Sequence, residues 1–517
     1  METNRRVFQV DRRDICYLRY TLESYDGMAV VRTIDPHAAL IEVSIAPGCE
    51  SIAEPLFEDL KKREGLRMEE ATGQRRKEAA LKKTYYIATM GCQMNEYDSE
   101  FLGQRLMEYG YRPVDDPERA DIVVINTCTV REKADQKAMS LLGRLSRIKT
   151  RKNPGMILGV AGCLAQKEGQ RLFHRFPQLD LVVGPRELSE IQGILDAVLL
   201  QKRRMIATRL DLPPLNASKI HQLQGKQVCA YVSIMEGCDN FCTYCIVPYV
   251  RGREISRPPR DIMEEVRLLI DQGVKEITLL GQNVNSYSWQ DPDGSFDFPS
   301  LLQMLSEVDG LVRLRFTTSH PKDLSDDLIR CFKDIEILCP HIHLPFQAGS
   351  NEVLERMKRG YSREHYLELV YKLREAVPHI AITSDVMVGF PGESPKDFEQ
   401  TLDLMEKIRF DALFSFKYSD REGTVAFHMG GKISEGEKSR RLNRLQTLQK
   451  EITLQKNKAL EGKAVSVLVE GVSKKGGQWM GHTDTNKIVN FSFDKGKIGD
   501  IVNVLIKTAF INSLRAV

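Results

Sequence analysis

MEGCDNFCTYC, residues 235–245, sets Cys238, Cys242 and Cys245 three and two residues apart and supplies no fourth ligand along the loop. A zinc site closes with four Cys or His ligands at short paired spacings, so this loop is one short. Iron–sulfur clusters are held by Cys thiolates on compact loops, and a four-iron cluster gripped by three cysteines leaves one iron open to an outside ligand. The missing ligand is the informative feature.

The loop follows AYVSIME, the first of six strand candidates; the others are EITLLGQ, VRLRFTT, HIHLPF, IAITSDVMVGF and ALFSFKY. Helical stretches such as PRDIMEEVRLLIDQG, NEVLERMKRG and SPKDFEQTLDLMEKI separate them. This alternation predicts a parallel barrel with fewer units than the eight of a complete one. Polar clusters GQNVNSY, TTSHP, QAGS and GFPGE follow the strands, at the end where such barrels place their chemistry.

Upstream, three apolar runs each end in a cysteine: YYIATMGC at Cys92, DIVVINTC at Cys128 and MILGVAGC at Cys163. The intervals of 36 and 35 residues fit strand, loop, helix and return, and the segments between have helical apolar spacing. The reading is a parallel α/β domain with its cysteines at the carboxyl ends of neighbouring strands, where open sheets bind ligands. The first 60 residues read as a small α/β unit, with AVVRTID and ALIEVSI as strands and SIAEPLFEDLKKR as a helix. Lys61–Lys83, with nine Lys or Arg against four Glu, reads as a solvated linker, as does the Pro-containing stretch 201–225. Residues 435–458 carry Leu442, Leu445, Leu448 and Ile452 at helical spacing, a helix packed on the barrel with a solvated outer face. The last 60 residues are short alternating strands with Gly-rich turns, read as a small antiparallel barrel, and are mildly basic with nine Lys or Arg against five Asp or Glu from residue 457 onward.

The chain has 517 residues, room for three or four domains, and a net charge of +3, so any nucleic-acid footprint is local. The charged opening METNRRVFQVDRRD is not a signal-peptide core, and no run approaches the ~20 apolar residues of a membrane span. The expectation is a cytosolic protein. In that reducing compartment eleven cysteines point to metal or thiol chemistry before disulfides. No GxxxxGK followed by Ser or Thr occurs, so nucleotide hydrolysis has no support.

CxxxCxxC with Tyr244 before its last cysteine, directly after the first strand of an incomplete barrel, resembles the radical S-adenosylmethionine superfamily. With GCQMNEYDSE, NTCTVREKADQK, AGCLAQ and YVSIMEGCDNFCTYCIVPYVRGREISRP, the chain from about Lys83 onward resembles the methylthiotransferases. Within them it is most similar to the branch that makes 2-methylthio-N6-dimethylallyladenosine in tRNA. The expected fold class is α/β, in four parts. The α/β extension over 1–60, of unknown role, and the charged linker over 61–82 lie outside the resemblance. The resemblance implies the other three: a methylthiotransferase N-terminal domain over 83–200, a partial (β/α)6 radical SAM core over 224–454 after a linker over 201–223, and a TRAM RNA-binding barrel over 457–517. It also implies two [4Fe-4S] clusters, one on Cys238, Cys242 and Cys245 and a second on Cys92, Cys128 and Cys163. Tyr244 would lie near the adenine of S-adenosylmethionine. One S-adenosylmethionine would methylate sulfur and another would yield a 5′-deoxyadenosyl radical, adding a methylthio group to C2 of N6-isopentenyladenosine beside the anticodon. The electron donor and the sulfur source stay unidentified.

Gln282, Asn283, Ser319, Gln347, Ser384 and Asp385 fall at strand ends and are read as cofactor or base contacts, or as helix caps. Arg251, Arg253 and Arg257 are read as anion contacts or surface ion pairs. His341 and His343 face one side of a strand with no third metal ligand nearby, and Cys16, Cys49, Cys229, Cys331 and Cys339 are read as structural thiols. YSDREGT places Asp420 and Glu422 where relatives carry prolines, which bears on the rigidity of that loop. Competing substrates are threonylcarbamoyl-adenosine in tRNA and ribosomal protein S12; a reading of another class is a zinc-dependent RNA-binding protein.

Overall fold

Apolar alternation in the first 70 residues builds a four-stranded antiparallel sheet. Its strands β1 (Asn4–Val10), β2 (Ala29–Asp35), β3 (Leu40–Ile45) and β4 (Met68–Glu70) lie in the order β2-β3-β1-β4. Helices Ile15–Glu23 and Glu50–Lys62 cover one face, with Phe8, Val10, Ile41, Val43 and Ile45 packed on Leu18, Leu22, Phe57 and Leu60. This is the split βαβ arrangement. Two expectations are corrected: β1 and the first helix were not foreseen, and the linker expected from Lys61 still holds the helix end and β4, paired to β1. The computed structural model describes residues 4–11, 13–23, 25, 28–35, 39–62, 66–70, 83–129, 132–215, 227–291, 294–473, 477–492 and 497–517. The rest of the expected linkers, 71–82 and 216–223, and the Cys16 side chain lie outside the described residues. The chain divides into two units, Met1–Leu215 and Asn216–Val517.

In the first unit a second sheet is wholly parallel: β5 (Thr84–Met90), β6 (Arg112–Pro113), β7 (Ile122–Thr127), β8 (Ile157–Ala161), β9 (Leu181–Val183) and β10 (Met205–Ala207), ordered β10-β9-β8-β7-β5-β6. Every residue of β7 and β8 is buried, because helices cover both faces of a parallel sheet and leave no polar-out alternation. The expected linker from residue 201 is corrected, since β10 completes this sheet and the chain stays docked to Leu215. Carbonyls hold it: Gln166 Nε2 donates to Thr208 O at 2.7 Å, and Arg186 Nη1 to Leu210 O at 2.6 Å and Leu212 O at 3.2 Å. The extension sits against the same domain. Arg32 Nη2 donates to Met107 O at 3.3 Å, Arg19 pairs with Asp196 at 3.4 Å, and Leu200 packs on the extension's core.

In the second unit all six expected strands form. β11 (Cys229–Ser233), β14 (Glu276–Leu280) and β17 (Arg313–Phe316) make one parallel sheet; β18 (His341–His343), β19 (Ala381–Val388) and β20 (Ala412–Lys417) make another. A parallel bridge between Leu314 and Leu338 links them. Hairpins β12 (Met235–Glu236) with β13 (Ile255–Ser256) and β15 (Ser288–Asp291) with β16 (Gly294–Asp297) lie in the connections. Period-2 alternation sends Val232, Ile277, Leu279, Leu314, Ile342, Ile382 and Val386 outward into the helix-packed core. The opposite face carries Glu276, Arg313, Arg315, His341, His343, Thr383, Asp385 and Phe414, so the barrel interior is polar.

Helix Glu435–Lys458 forms as expected, with Leu445 and Ile452 buried. Its contact face is also polar, since buried Arg441 pairs with buried Glu393 at 2.6 Å. The last domain is a closed barrel of β21 (Ala464–Val472), β22 (Trp479–Thr483), β23 (Ile488–Phe491), β24 (Ile501–Ala509) and β25 (Leu514–Ala516), ordered β21-β22-β23-β25-β24. It is not purely antiparallel: β23 and β25 pair in parallel, because a chain closing on itself must bring its last strand beside a neighbour of fixed direction. Its carbonyls meet the amino-terminal end of the larger barrel. Arg313 Nη1 donates to His482 O at 2.8 Å, and Arg315 to Asp484 O and Thr483 O at 2.7 Å each.

Candidate active site

The cysteine loop leaves β11 through a narrow passage. Gly237 has φ +82°, and a Cβ there would stand 2.0 Å from Arg253 O, so only glycine fits. Gly237 N donates to Gln282 Oε1 at 2.5 Å, tying the loop to the end of β14. Two buried ion pairs brace its flanks, Arg251–Glu236 at 3.4 Å and Arg257–Glu265 at 2.7 Å. Arg251 and Arg257, read as anion contacts or surface pairs, are interior braces instead, because their partners sit on strand and helix behind the loop, whereas Arg253 is an exposed ion pair with Asp239 at 3.4 Å. Further along, Thr243 N donates to Met357 O at 3.1 Å and Thr243 Oγ1 to Arg356 O at 2.9 Å.

Burial pushes the Cys238 thiol up and the Cys245 thiol up to about 12, with nearby Cys242 adding to both. The three sulfurs therefore feel one another. Asn240 Nδ2 lies 3.6 Å from Cys238 Sγ, and Arg359 Nη1 donates to Cys242 Sγ at 3.4 Å. Among the described residues no three His, Cys, Asp or Glu side chains are already drawn together as a metal-binding group, so the sulfurs stand as separate thiols. Their chemistry still fits iron: soft donors, on a braced loop, with hydrogen-bond donors aimed at sulfur.

Around this loop the mouth of the barrel holds unusual backbone and unsatisfied polar atoms. Phe241, Thr318 and Gln347 have φ of 45°, 69° and 63°, left-handed conformations that non-glycine residues adopt at a cost and that gather at functional sites. Asn283 Oδ1, Ser319 Oγ and His320 Nε2 are buried with no hydrogen-bond partner among the described residues. Asn283 Nδ2 donates to Asp323 at 2.8 Å. Burial lifts the Glu254 carboxyl to about 7, while Ser286 Oγ donates to it at 2.7 Å. Ser384 faces away from the mouth, bonded to Phe346 N at 2.9 Å and Leu344 O at 2.7 Å. Tyr244 sets its ring edge-on to Phe390, centroids 6.5 Å apart.

Lower in the barrel, His341 Nε2 and His343 Nδ1 lie 3.3 and 3.0 Å from the Thr383 hydroxyl, and His343 lies 3.5 Å from Asp385. These rings share one hydroxyl. Phe414 stacks edge-on to His343 at 5.9 Å yet stays 51% exposed, an aromatic face left open inside the barrel. In the loop after β20, Asp420 accepts from Tyr418 OH at 2.9 Å and pairs with Lys432, so an ion pair stiffens the segment where prolines were absent.

The second cysteine set also stands where the strand pattern put it. Cys92 caps helix Gln93–Glu108 after β5, Cys128 follows β7, and Cys163 begins helix Cys163–Glu168 after β8; these strands are neighbours. The three turns touch. A Cβ on Gly91 would stand 2.5 Å from Cys128 Cβ, and one on Gly162, φ +84°, 2.3 Å from Asn126 Oδ1 and 3.2 Å from Asn95 Nδ2. Asn95 and Asn126, both fully buried, bind the turns together. Asn95 Nδ2 donates to Asn126 Oδ1 at 3.2 Å, Asn126 Nδ2 to Asn95 O at 2.9 Å, and Cys92 N to Asn95 Oδ1 at 3.4 Å. Three soft donors on converging, rigid turns again suit an iron–sulfur cluster.

Asn95, Asn126, Arg359, His320 and Glu254 were not singled out from the sequence. Asn95 had a signal, three residues after Cys92 at the capping-box position. Arg359 had none, since its partner is 117 residues away.

Four family profiles match in chain order: a domain of unknown function (DUF4911) over 8–63, the uncharacterized protein family UPF0004 over 84–184, the radical SAM superfamily over 232–405 and the TRAM domain over 458–517. The tRNA-2-methylthio-N(6)-dimethylallyladenosine synthase of Syntrophus aciditrophicus is 51% identical over 435 residues, covering 84% of this chain and 94% of its own. That of Geobacter sulfurreducens is 50% identical over 438 residues, covering 84% and 96%. Among solved structures, the radical S-adenosylmethionine methyltransferase TsrM from Kitasatospora setae, with cobalamin and a [4Fe-4S] cluster bound, covers 67% of this chain and 77% of its own at 14% identity and a TM-score of 0.49.

Proposed function

The chain belongs to the tRNA-2-methylthio-N(6)-dimethylallyladenosine synthase family, and from that membership we infer a radical S-adenosylmethionine transferase that places a methylthio group on C2 of N6-dimethylallyladenosine in tRNA. The observation that carries the reading is the pairing of two three-cysteine sets, one on the loop after β11 and one across the ends of β5, β7 and β8. Family membership sets aside the zinc-dependent RNA-binding alternative, and the relatives' names favour the dimethylallyl substrate over threonylcarbamoyl-adenosine and ribosomal protein S12.

When bound, two [4Fe-4S] clusters and S-adenosylmethionine supply the carbon radical and the activated sulfur. Cys238, Cys242 and Cys245 would hold one cluster; Cys92, Cys128 and Cys163 would hold the other. Asn283, Ser319 and His320 offer unspent polar atoms at the mouth that could hold the cofactor's amino-acid and ribose groups, and Tyr244 would lie near its adenine. Phe414 presents the apolar surface that a dimethylallyl group needs. The terminal barrel meets RNA, and the target base leaves its stack to enter. No described helix is long and apolar enough to cross a membrane. The reaction also needs a reductant and a source of sulfur.

The test is anaerobic reconstitution with reductant, S-adenosylmethionine and dimethylallylated tRNA, read by mass spectrometry. Changing Cys238, Cys242 or Cys245 to Ala should abolish 5′-deoxyadenosine release. Changing Cys92, Cys128 or Cys163 to Ala should spare release and stop methylthio addition; normal tRNA modification by the second group would refute the two-site assignment.

A further inference from the structure

Arg359 is 5% exposed and its guanidinium has three fixed contacts: Nη1 to Cys242 Sγ at 3.4 Å, Nη2 to Pro345 O at 2.9 Å and Nε to Tyr361 OH at 3.2 Å. Tyr361 OH is itself held by Phe346 O at 2.9 Å, and its ring lies 5.4 Å below the guanidinium carbon. Guanidinium remains charged at any accessible pH, and burying an ion without a counter-ion costs several kcal/mol. Among the described residues no carboxylate stands within ion-pair distance of it; the groups that favour its charge are Cys242, Tyr244 and Tyr361. His320, edge-on to Tyr361 at 5.7 Å, is kept neutral, its pKa held down to about 2 by burial and by Arg359 itself. A desolvated cation aimed at sulfur is balanced only when that sulfur is anionic.

We propose that Arg359 is the built-in counter-charge of the cluster on Cys238, Cys242 and Cys245 and sets its reduction potential. The inference rests on the ligand assignment made above. Taking up one electron makes a cluster more negative by one charge, with no bond made or broken. A buried cation beside a ligand sulfur favours that reduced state, and charge and hydrogen bonds at sulfur are among the determinants of such potentials. The electron comes from an external low-potential donor, dithionite in the experiment below. Arg359 is thus a positioning and tuning residue that acts through the sulfur of Cys242.

The measurement is an anaerobic potentiometric titration of the reduced-cluster EPR signal. It uses full-length protein in a Cys92→Ala, Cys128→Ala, Cys163→Ala background, so that one cluster reports, with iron content measured beside it. Arg359→Gln keeps an N–H donor and removes the charge; its midpoint should shift to more negative potential at wild-type iron content. Arg359→Lys should stay closer to the parent. An unchanged midpoint in Arg359→Gln, or equal shifts in Gln and Lys, overturns the proposal. If Arg359→Gln holds less than half the parent iron, Tyr361→Phe decides: it frees the guanidinium from its Nε acceptor, and a smaller negative shift supports the assignment whereas none overturns it. A shifted midpoint in this background, together with no methylthio addition to dimethylallylated tRNA by the reconstituted enzyme with all six cysteines intact, would refute the substrate and leave Arg359 standing. A parent protein with no iron on these cysteines would refute both.

Discussion

At the scale of single residues, two asparagines and two histidines have more to do than their sequence neighbourhoods suggest. Asn126 is buried between the turns that bear Cys92 and Cys163, with donors and acceptors satisfied by Asn95 and Ser99. Replacing it by Ala strands those partners, at about 1–3 kcal/mol. Asn126→Ala should lower the urea midpoint and reduce bound iron toward the amount held by the Cys238 set alone. His320 and His341 are buried with pKa values held down to about 2 and about 3, chiefly by burial. Below the unfolded value of about 6.5 the unfolded chain takes up protons that the folded chain refuses, so stability falls as pH falls. Between pH 7.5 and 5.5 each should cost about 1.4 kcal/mol. His341→Gln should flatten that slope in pH-dependent unfolding, and an unchanged slope would show that His341 titrates normally. The cysteines themselves were legible, because each follows an apolar run of strand length. Arg251, Arg253 and Arg257 look alike in sequence, and only packing separates two braces from one surface pair.

At the scale of elements, length decided much of what could be read, although seven-residue β1 went unforeseen and three-residue β18 was found within its longer apolar run. Strands of five to eight residues with apolar runs, such as β7, β14 and β19, announce themselves. β4 and β10 have three residues each, too few for any period, and their stretches look like linkers. The joint between the two barrels was equally hidden, since its polar contacts, arginines on carbonyls and Lys487 on Asp411, link residues far apart in the sequence. Arg315 also pairs with Glu276 at 2.9 Å, so removing it leaves two carbonyls without their donor and that buried carboxylate with only Arg313, 3.9 Å away. The cost should be at most about 3–5 kcal/mol. Arg315→Met should therefore speed amide hydrogen exchange around Thr483–Lys487 well before it affects the helices of the larger barrel; equal acceleration throughout would indicate global unfolding instead.

For the molecule as a whole, the order of parts was legible from composition shifts, and the placement of the extension was not. Arg19, Arg32 and Leu200 bring it onto the second-cluster domain, at the far end of the helix that Cys92 caps. Arg19 is 36% exposed, so its pair with Asp196 is worth at most about 1 kcal/mol. Arg19→Ala should leave the melting temperature nearly unchanged. Deleting residues 1–70 should lower it measurably by baring the apolar contact at Leu200, while 5′-deoxyadenosine release, assigned to the second unit, persists. The arginine joint has one more effect at this scale. Because Arg313 and Arg315 grip main-chain oxygens at positions 482–484, that part of the joint follows the module's path and not its alphabet, with Lys487 adding one side-chain tie to Asp411. Side chains on its outward surface are then free to drift with whatever polymer they touch, and the fastening underneath does not notice.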